Sequence, residues 1–225
     1  MKTIPRIIEE QINRWQMLGK EQKEEKAAVP AVTISRDPGS GGRIIAAKLA
    51  EKLGFHVFYR EVLHEMAKSA EVSEYLLESL DEKGHSVLED WISSLVYDRY
   101  LWPDQYLQHL MKVVGTIAKH GRAVIVGRGA NFILPPGRQF RVRVTAPQKL
   151  RIERVAREFN ISQDEAKRRV IRTESERKAF IRKYFNSDIA DPVNYDLILN
   201  SEILSIDHAV NLISAALGCL VECHI

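Results

Sequence analysis

AVTIS at residues 31–35, RDPGSGGR at 36–43 and IIAAKLAEKL at 44–53 decide how this chain is read. The first piece is short, apolar and β-branched, as a buried strand requires. The second is a glycine-rich turn. The third spaces its apolar residues helically and stops at Gly54. Strand, glycine turn and helix in that order open an α/β fold.

The rest of the chain continues the alternation. A short strand is predicted at His56–Tyr59, then a helix from about Glu61 to Ala70. From Val72 to about Gly121 only helical patterns occur. Ala123–Val126 (AVIV) is the next strand and ends in a second glycine turn, Gly127-Arg128-Gly129. Phe140–Thr145 follows as a strand, and Pro147 suits the first turn of a helix reaching Phe159. Ser162-Gln163-Asp164-Glu165 is a capping box opening another helix. Asp196–Asn200 predicts the last strand, and Ser205–Leu217 the last amphipathic helix. Such alternation predicts a parallel sheet covered by helices on both faces. Ligands of such sheets sit at the carboxyl ends of the strands. Those ends are Ser35–Arg43, Tyr59, Gly127–Arg128, Thr145 and Asn200.

Composition bounds the function. Of 225 residues, 45% are hydrophobic and 28% charged, which excludes a disordered or fibrous chain. Lys plus Arg number 33 against 30 acids, so the net charge of +3 does not by itself argue for nucleic acid. Cys219 and Cys223 offer no disulfide framework and no paired zinc motif. No metal-ligand set stands out. No apolar run nears the roughly 18 residues of a membrane span, and the charged N-terminus lacks a signal-peptide core. The expectation is a cytoplasmic protein. Residues 4–26 carry Ile7, Ile8, Ile12 and Trp15 at helical spacing and fade into a Lys/Glu linker ending at Pro30. Two partners suit that helix, this chain's own core or a second copy in a homodimer.

Three features carry chemistry. In Pro38-Gly39-Ser40-Gly41-Gly42-Arg43, glycines let successive N–H groups turn around an anion, and the helix that follows adds its positive end. Against the phosphate-loop pattern G-x-x-x-x-G-K-[ST], Asp37 takes the first glycine, Arg43 the lysine and Ile44 the hydroxyl position. The plain alternative is an ordinary βα turn. Arg128, flanked by glycines at a strand end, can aim a planar cation at a phosphate; the alternative is a surface ion pair. Basic residues crowd 151–183. Many are ordinary solvated helix charges, while some suit a lid that neutralises a polyphosphate.

With those motifs read, a resemblance emerges. ISRDPGSGGRIIAAKLAEKLGF, VIVGRGANFIL, RTESERKAFIRKYF and YDLILNS resemble, in this order, the cytidylate kinase-like family of P-loop nucleoside monophosphate kinases. The resemblance runs from about Ala31 to Leu217. It implies a three-layer α/β P-loop kinase fold with a parallel five-stranded sheet. It also implies a helical nucleotide-binding insert over 61–121 and an arginine-rich lid over 157–183, with 1–30 and 218–225 lying outside the kinase domain. The implied reaction moves a phosphoryl group from ATP, with Mg²⁺, to a nucleoside monophosphate.

By position, the resemblance places 38–43 on the donor phosphates, with Asn200 at a neighbouring strand end. Arg128 falls on the acceptor contact. Arg177 falls on a lid arginine near the transferred phosphate, with Arg172 as a second and Glu174 on an acidic lid position. Tyr59, Thr145 and Val126 stand where cytidylate kinases carry Asp, so preference for CMP is expected to be weak or altered. Two rivals to small-molecule phosphoryl transfer stay open: a nucleotide-binding regulator without efficient turnover, and a nucleic-acid binder using the basic 149–183 region. Few aromatics interleave there, which argues against base stacking.

Overall fold

The structure, a computed structural model, describes Arg6, Glu10 and residues 30–98, 100–101 and 103–222. Its sheet has five strands: β1 (Ala31–Arg36), β2 (His56–Phe58), β3 (Ala123–Val126), β4 (Gln139–Thr145) and β5 (Leu197–Asn200). All neighbours pair in parallel, in the order β2-β3-β1-β4-β5. The chain leaves β1 towards one edge and returns to fill the other. The crevice of such a sheet therefore opens at the carboxyl end of β1 and its neighbours.

Between the strands run α1 (Gly42–Leu53), α2 (Arg60–Lys68), α3 (Ala70–Glu78), α4 (Glu82–Asp98) and α5 (Gln105–His120). Beyond β3 come α6 (Ala130–Ile133), α7 (Gln148–Phe159), α8 (Gln163–Phe185) and α9 (Ile206–Glu222). Side chains alternate across the strands with period two. Val32, Ile34, Val124, Val126 and Val142 pack on one face against Ile45 and Leu49 of α1 and Ile213 of α9. Phe58 and Ile125 face the other way, onto Leu63, Met66, Leu110 and Val114 of the helical insert. Each fully buried side chain of this size stabilises the fold by about 1.5–3 kcal/mol. The insert-facing side of β4 is polar, yet satisfied. Thr33 Oγ1 donates to Gln139 Oε1 at 2.7 Å, and Gln139 Nε2 donates to Asn131 O at 3.2 Å and also to Leu134 O.

Predicted and observed boundaries differ where caps or apolar faces intervene. The helix expected from about Glu61 to Ala70 is α2 and stops at Lys68, because Ser69 is extended and its hydroxyl accepts from Val72 N–H as the N-cap of α3. The capping box at Ser162 and Glu165 forms as predicted. The tail expected from 218 is helical through Glu222, because Leu220 continues the apolar face of α9 against the sheet. The N-terminal helix over 4–26, and a homodimer through it, lie outside the described residues apart from Arg6 and Glu10. Those two form an i,i+4 ion pair at 3.3 Å. Among the described residues no helix is long and apolar enough to cross a membrane.

His120 closes α5 and meets the hydroxyl of Ser79, at the end of α3, with Nε2 2.8 Å from Oγ. Burial pushes its imidazole down to about 4 from an ordinary 6.5. The unfolded chain therefore binds a proton between these values that the folded protein does not. Stability is complete above about pH 6.5 and falls as pH drops towards 4, by at most about 3 kcal/mol for this one group. Denaturant melts of wild type and His120→Gln across pH 4–7 check this; the variant should lose less stability over that range.

Candidate active site

The loop after β1 turns back at Asp37, whose N–H donates to Val144 O of β4 at 3.0 Å. Its last residue, Gly41, is the N-cap of α1 and offers no side-chain cap. By helix geometry the N–H groups of Gly42 and Arg43 have no acceptor within α1 and point out of its positive end. The loop is braced from behind. Ser40 is fully buried, and its Oγ donates to Asp37 O at 2.9 Å. Ser201, after β5, donates from Oγ to Ser40 O at 2.7 Å and is itself gripped by Arg154 at 3.0 and 2.8 Å. Arg143 of β4 pairs with Asp37 at 2.9 Å, side chains only 8% and 16% exposed, and donates to Ser35 Oγ at 3.1 Å. A backbone held this firmly is preorganised to present its amides.

Beside the loop, at the carboxyl ends of β1 and β3, lies a cavity of about 170 Å³ whose lining includes Arg36, Arg60, Arg128, Arg177, Asn131 and Glu176. Arg128 stands at φ 51 between Gly127 at φ 82 and Gly129 at φ 68. A left-handed non-glycine residue costs about 1–3 kcal/mol, the kind of strain that gathers at functional sites. The Arg128 guanidinium lies 5.2 Å from the ring centre of Phe180 and 6.0 Å from that of Tyr106. Arg177 Nη1 donates to Arg36 O at 2.6 Å. The Nε atoms of Arg128 and Arg177 are buried with no acceptor among the described residues.

Burial and mutual repulsion destabilise these cations. Burial, then Arg177, brings the Arg36 guanidinium down to about 9. Burial, then Arg60, brings that of Arg177 down to about 10. Burial lowers Arg128 as well. An anion entering the cavity would relieve all three and meet the unused donors.

The structure brings together part of the predicted site. The glycine loop, Arg128 and Arg177 share one edge. Arg43 is placed differently from its expected position over the loop. Its side chain is 60% exposed, donates to Glu61 Oε2 at 3.2 Å and stacks 4.1 Å above the Tyr59 ring. Arg172 faces solvent at 79% exposure and pairs with Glu176 at 3.4 Å, because α8 turns that residue away from the sheet. Asn200 is exposed and accepts from Glu202 N–H at 3.0 Å, capping the turn after β5. Thr145 is half-buried, its hydroxyl donating to Leu199 O at 3.3 Å. Glu174 is held by Arg151 at 3.1 Å and Lys178 at 3.0 Å. Burial works to raise its pKa, but bonds from Lys178 and Arg151 outweigh that and keep the carboxyl below its usual range. Sequence reasoning missed Arg36, Arg60 and Asn131. The signal for Arg36 and Arg60 was available, since both are arginines at strand ends, the feature that singled out Arg128.

The model of the cytidylate kinase-like family matches residues 31–203. The cytidylate kinase of Methanopyrus kandleri is 28% identical over 201 residues, covering 85% of this chain and 94% of the relative. That of Ignicoccus hospitalis is 28% identical over 187 residues, covering 83% of this chain and 98% of the relative. An uncharacterized protein from Eubacterium ventriosum superposes with a TM-score of 0.69 at 22% identity, over 85% of this chain and 99% of its own, and so shares the fold. The family match spans all five strands, the glycine loop and the arginine cavity, and the chain belongs to the cytidylate kinase-like family.

Proposed function

We propose that the protein transfers the terminal phosphoryl group of ATP to a nucleoside monophosphate. One observation carries this reading: an uncapped helix N-terminus on a braced glycine loop shares a sheet edge with a cavity whose Arg36, Arg128 and Arg177 have no carboxylate partner among the described residues. The first suits a donor's phosphates, the second an acceptor's. Names of the relatives agree, since both are cytidylate kinases.

An oxygen of the acceptor phosphate attacks the γ-phosphorus, the bond from that phosphorus to the bridging oxygen breaks, and ADP leaves. Protein groups position and neutralise; none becomes covalently bound. Amides of Gly39 and residues 41–43 hold the donor, Arg128 the acceptor phosphate, and Arg177 the group in flight. Arg43 can join the donor by leaving Glu61, since an exposed ion pair is worth only about 0–1 kcal/mol. The described residues assemble no Mg²⁺ site of their own. No three His, Cys, Asp or Glu side chains cluster, the Ser40 hydroxyl is turned to Asp37 O, and Asp37 is tied to Arg143. Mg²⁺ would arrive with ATP and supply charge neutralisation on its phosphates.

The acceptor base is the finer part of the proposal. Thr145 and Tyr59 offer a hydroxyl and a ring where a carboxylate would grip the cytosine amino group, so preference among bases is shallow. A second reading, a nucleotide-binding regulator, draws on one observation: the residue at the loop's lysine position, Arg43, is bound to Glu61 and Tyr59. In α8, residues 171–179 add no hydrophobic side chain to either core, and Phe180 is the first to pack back against one, so the arginines of that stretch can move onto a ligand.

Three measurements check these proposals. ADP formation from ATP with CMP, UMP, AMP and GMP in turn should show turnover with more than one base. Strict use of CMP would defeat the base argument, and ATP binding with no turnover on any acceptor would favour the regulator. Arg128→Ala should lower kcat/KM for every working acceptor by a similar factor, about 10- to 100-fold for a lost charge-assisted bond; an effect on one base only would contradict its phosphate role. Hydrogen exchange over 157–183 should slow when both nucleotides are bound, and equal protection would count against a lid.

A further inference from the structure

We propose that Arg36, the last residue of β1, supplies the cation that a loop lysine supplies in other phosphate loops, binding the donor's terminal phosphates from the strand side. This rests on the phosphoryl-transfer reading above and names a residue the glycine-loop pattern does not mark.

The argument begins with space. α1 starts at Gly42. A Cβ there would lie 2.6 Å from Arg36 Cβ, so any larger residue would collide with the base of that side chain. At the other end, a Cβ on Gly127 would strike the Arg36 guanidinium itself, and Gly127 also holds φ at +82. Two glycines from different elements thus leave a lane for one arginine, from the start of α1 to the turn after β3. Arg36 occupies that lane and reaches the cavity lined by Arg60, Arg128 and Arg177.

Charge completes it. Structural arginines of this protein are paired: Arg141 with Asp196, Arg143 with Asp37 and Arg151 with Glu174. Among the described residues no carboxylate comes within ion-pair distance of Arg36. Its neighbours Arg177, Arg60 and Arg43 all repel it, with only Glu61 attracting. A residue kept for stability would not be placed, half-buried, among like charges with no carboxylate partner. One kept for a polyanion would, because that anion supplies the missing partner and the loop's amides lie alongside. In the phosphate-loop pattern the lysine reaches the β- and γ-phosphates. Here the side chain at that position, Arg43, lies over Tyr59, and Arg36 is the cavity cation that starts from the loop's own strand.

The test uses the full chain, with wild type, Arg36→Met, Arg36→Gln and Arg36→Lys. ATP with Mg²⁺ is titrated calorimetrically, CMP is titrated separately, and unliganded melting temperatures are recorded. Arg36→Met and Arg36→Gln should weaken ATP binding at least tenfold, and Arg36→Lys should recover most of it. Their unliganded melting temperatures should stand at or above wild type, because a repelled cation has been removed. ATP affinity within twofold of wild type in Arg36→Met would overturn the proposal while leaving the transfer reading intact. So would a loss confined to CMP, which would move Arg36 to the acceptor. If neither Arg36→Met nor Arg36→Gln folds, Arg36 is structural and the proposal fails. If wild type itself binds no ATP, the transfer reading falls and takes the proposal with it.

Discussion

Guanidinium groups that repel one another share a cavity at the carboxyl edge of the sheet, and three of them, Arg36, Arg128 and Arg177, have no carboxylate within ion-pair distance among the described residues. Isolated buried charge is costly, and its burial persists only where the surroundings enforce it. Here they do so from several directions. Parallel pairing places the ends of β1 and β3 side by side. Glycines at 42 and 127 make room for Arg36. Phe180 and Tyr106 flank Arg128, whose own backbone is held in the left-handed region. A bond from Arg177 to Arg36 O ties α8 to the central strand.

The same residue type serves two purposes, and pairing tells them apart. Arg141, Arg143 and Arg151 each hold a carboxylate, and Arg154 grips Ser201. Their work is to lock β4, the phosphate loop and the β5 turn into one rigid seat. The loop then needs no induced ordering to present its amides, and preorganised dipoles of this kind are what stabilise developing charge. Arg36, Arg128 and Arg177, without carboxylate partners, line the cavity beside that seat. Between Val170 and Ile181, α8 is held by Glu174 through Arg151, by Arg177 through Arg36 O, and by Phe180 against the insert-side core, fewer ties than the glycine loop has.

Strand identity, sheet class and the glycine loop were legible in the chain because each rests on local chemistry. β-Branched runs favour strands, apolar residues at helical spacing favour helices, and glycines permit the turns between them. The capping box at Ser162 formed as read for the same reason: its two hydrogen bonds join residues three apart. Arg128 was legible because glycines flank it directly. Arg172 was misread. Basic density along a helix does not say which face meets the sheet, and the helix phase put Arg172 outward and Arg177 inward.

Position in the chain determined that a parallel sheet with a glycine turn at its leading strand would form, and that Arg128 would stand at the carboxyl end of a strand. Only the tertiary structure decided which cation reaches the loop. Arg43 is nearest in the helix pattern, but the start of α2 lies close enough for Glu61 and Tyr59 to draw it away. Arg36 gains its place from Gly127, more than ninety residues later in the chain. That lane exists because β1 and β3 pair edge to edge, a contact between distant segments that no local pattern of residues encodes.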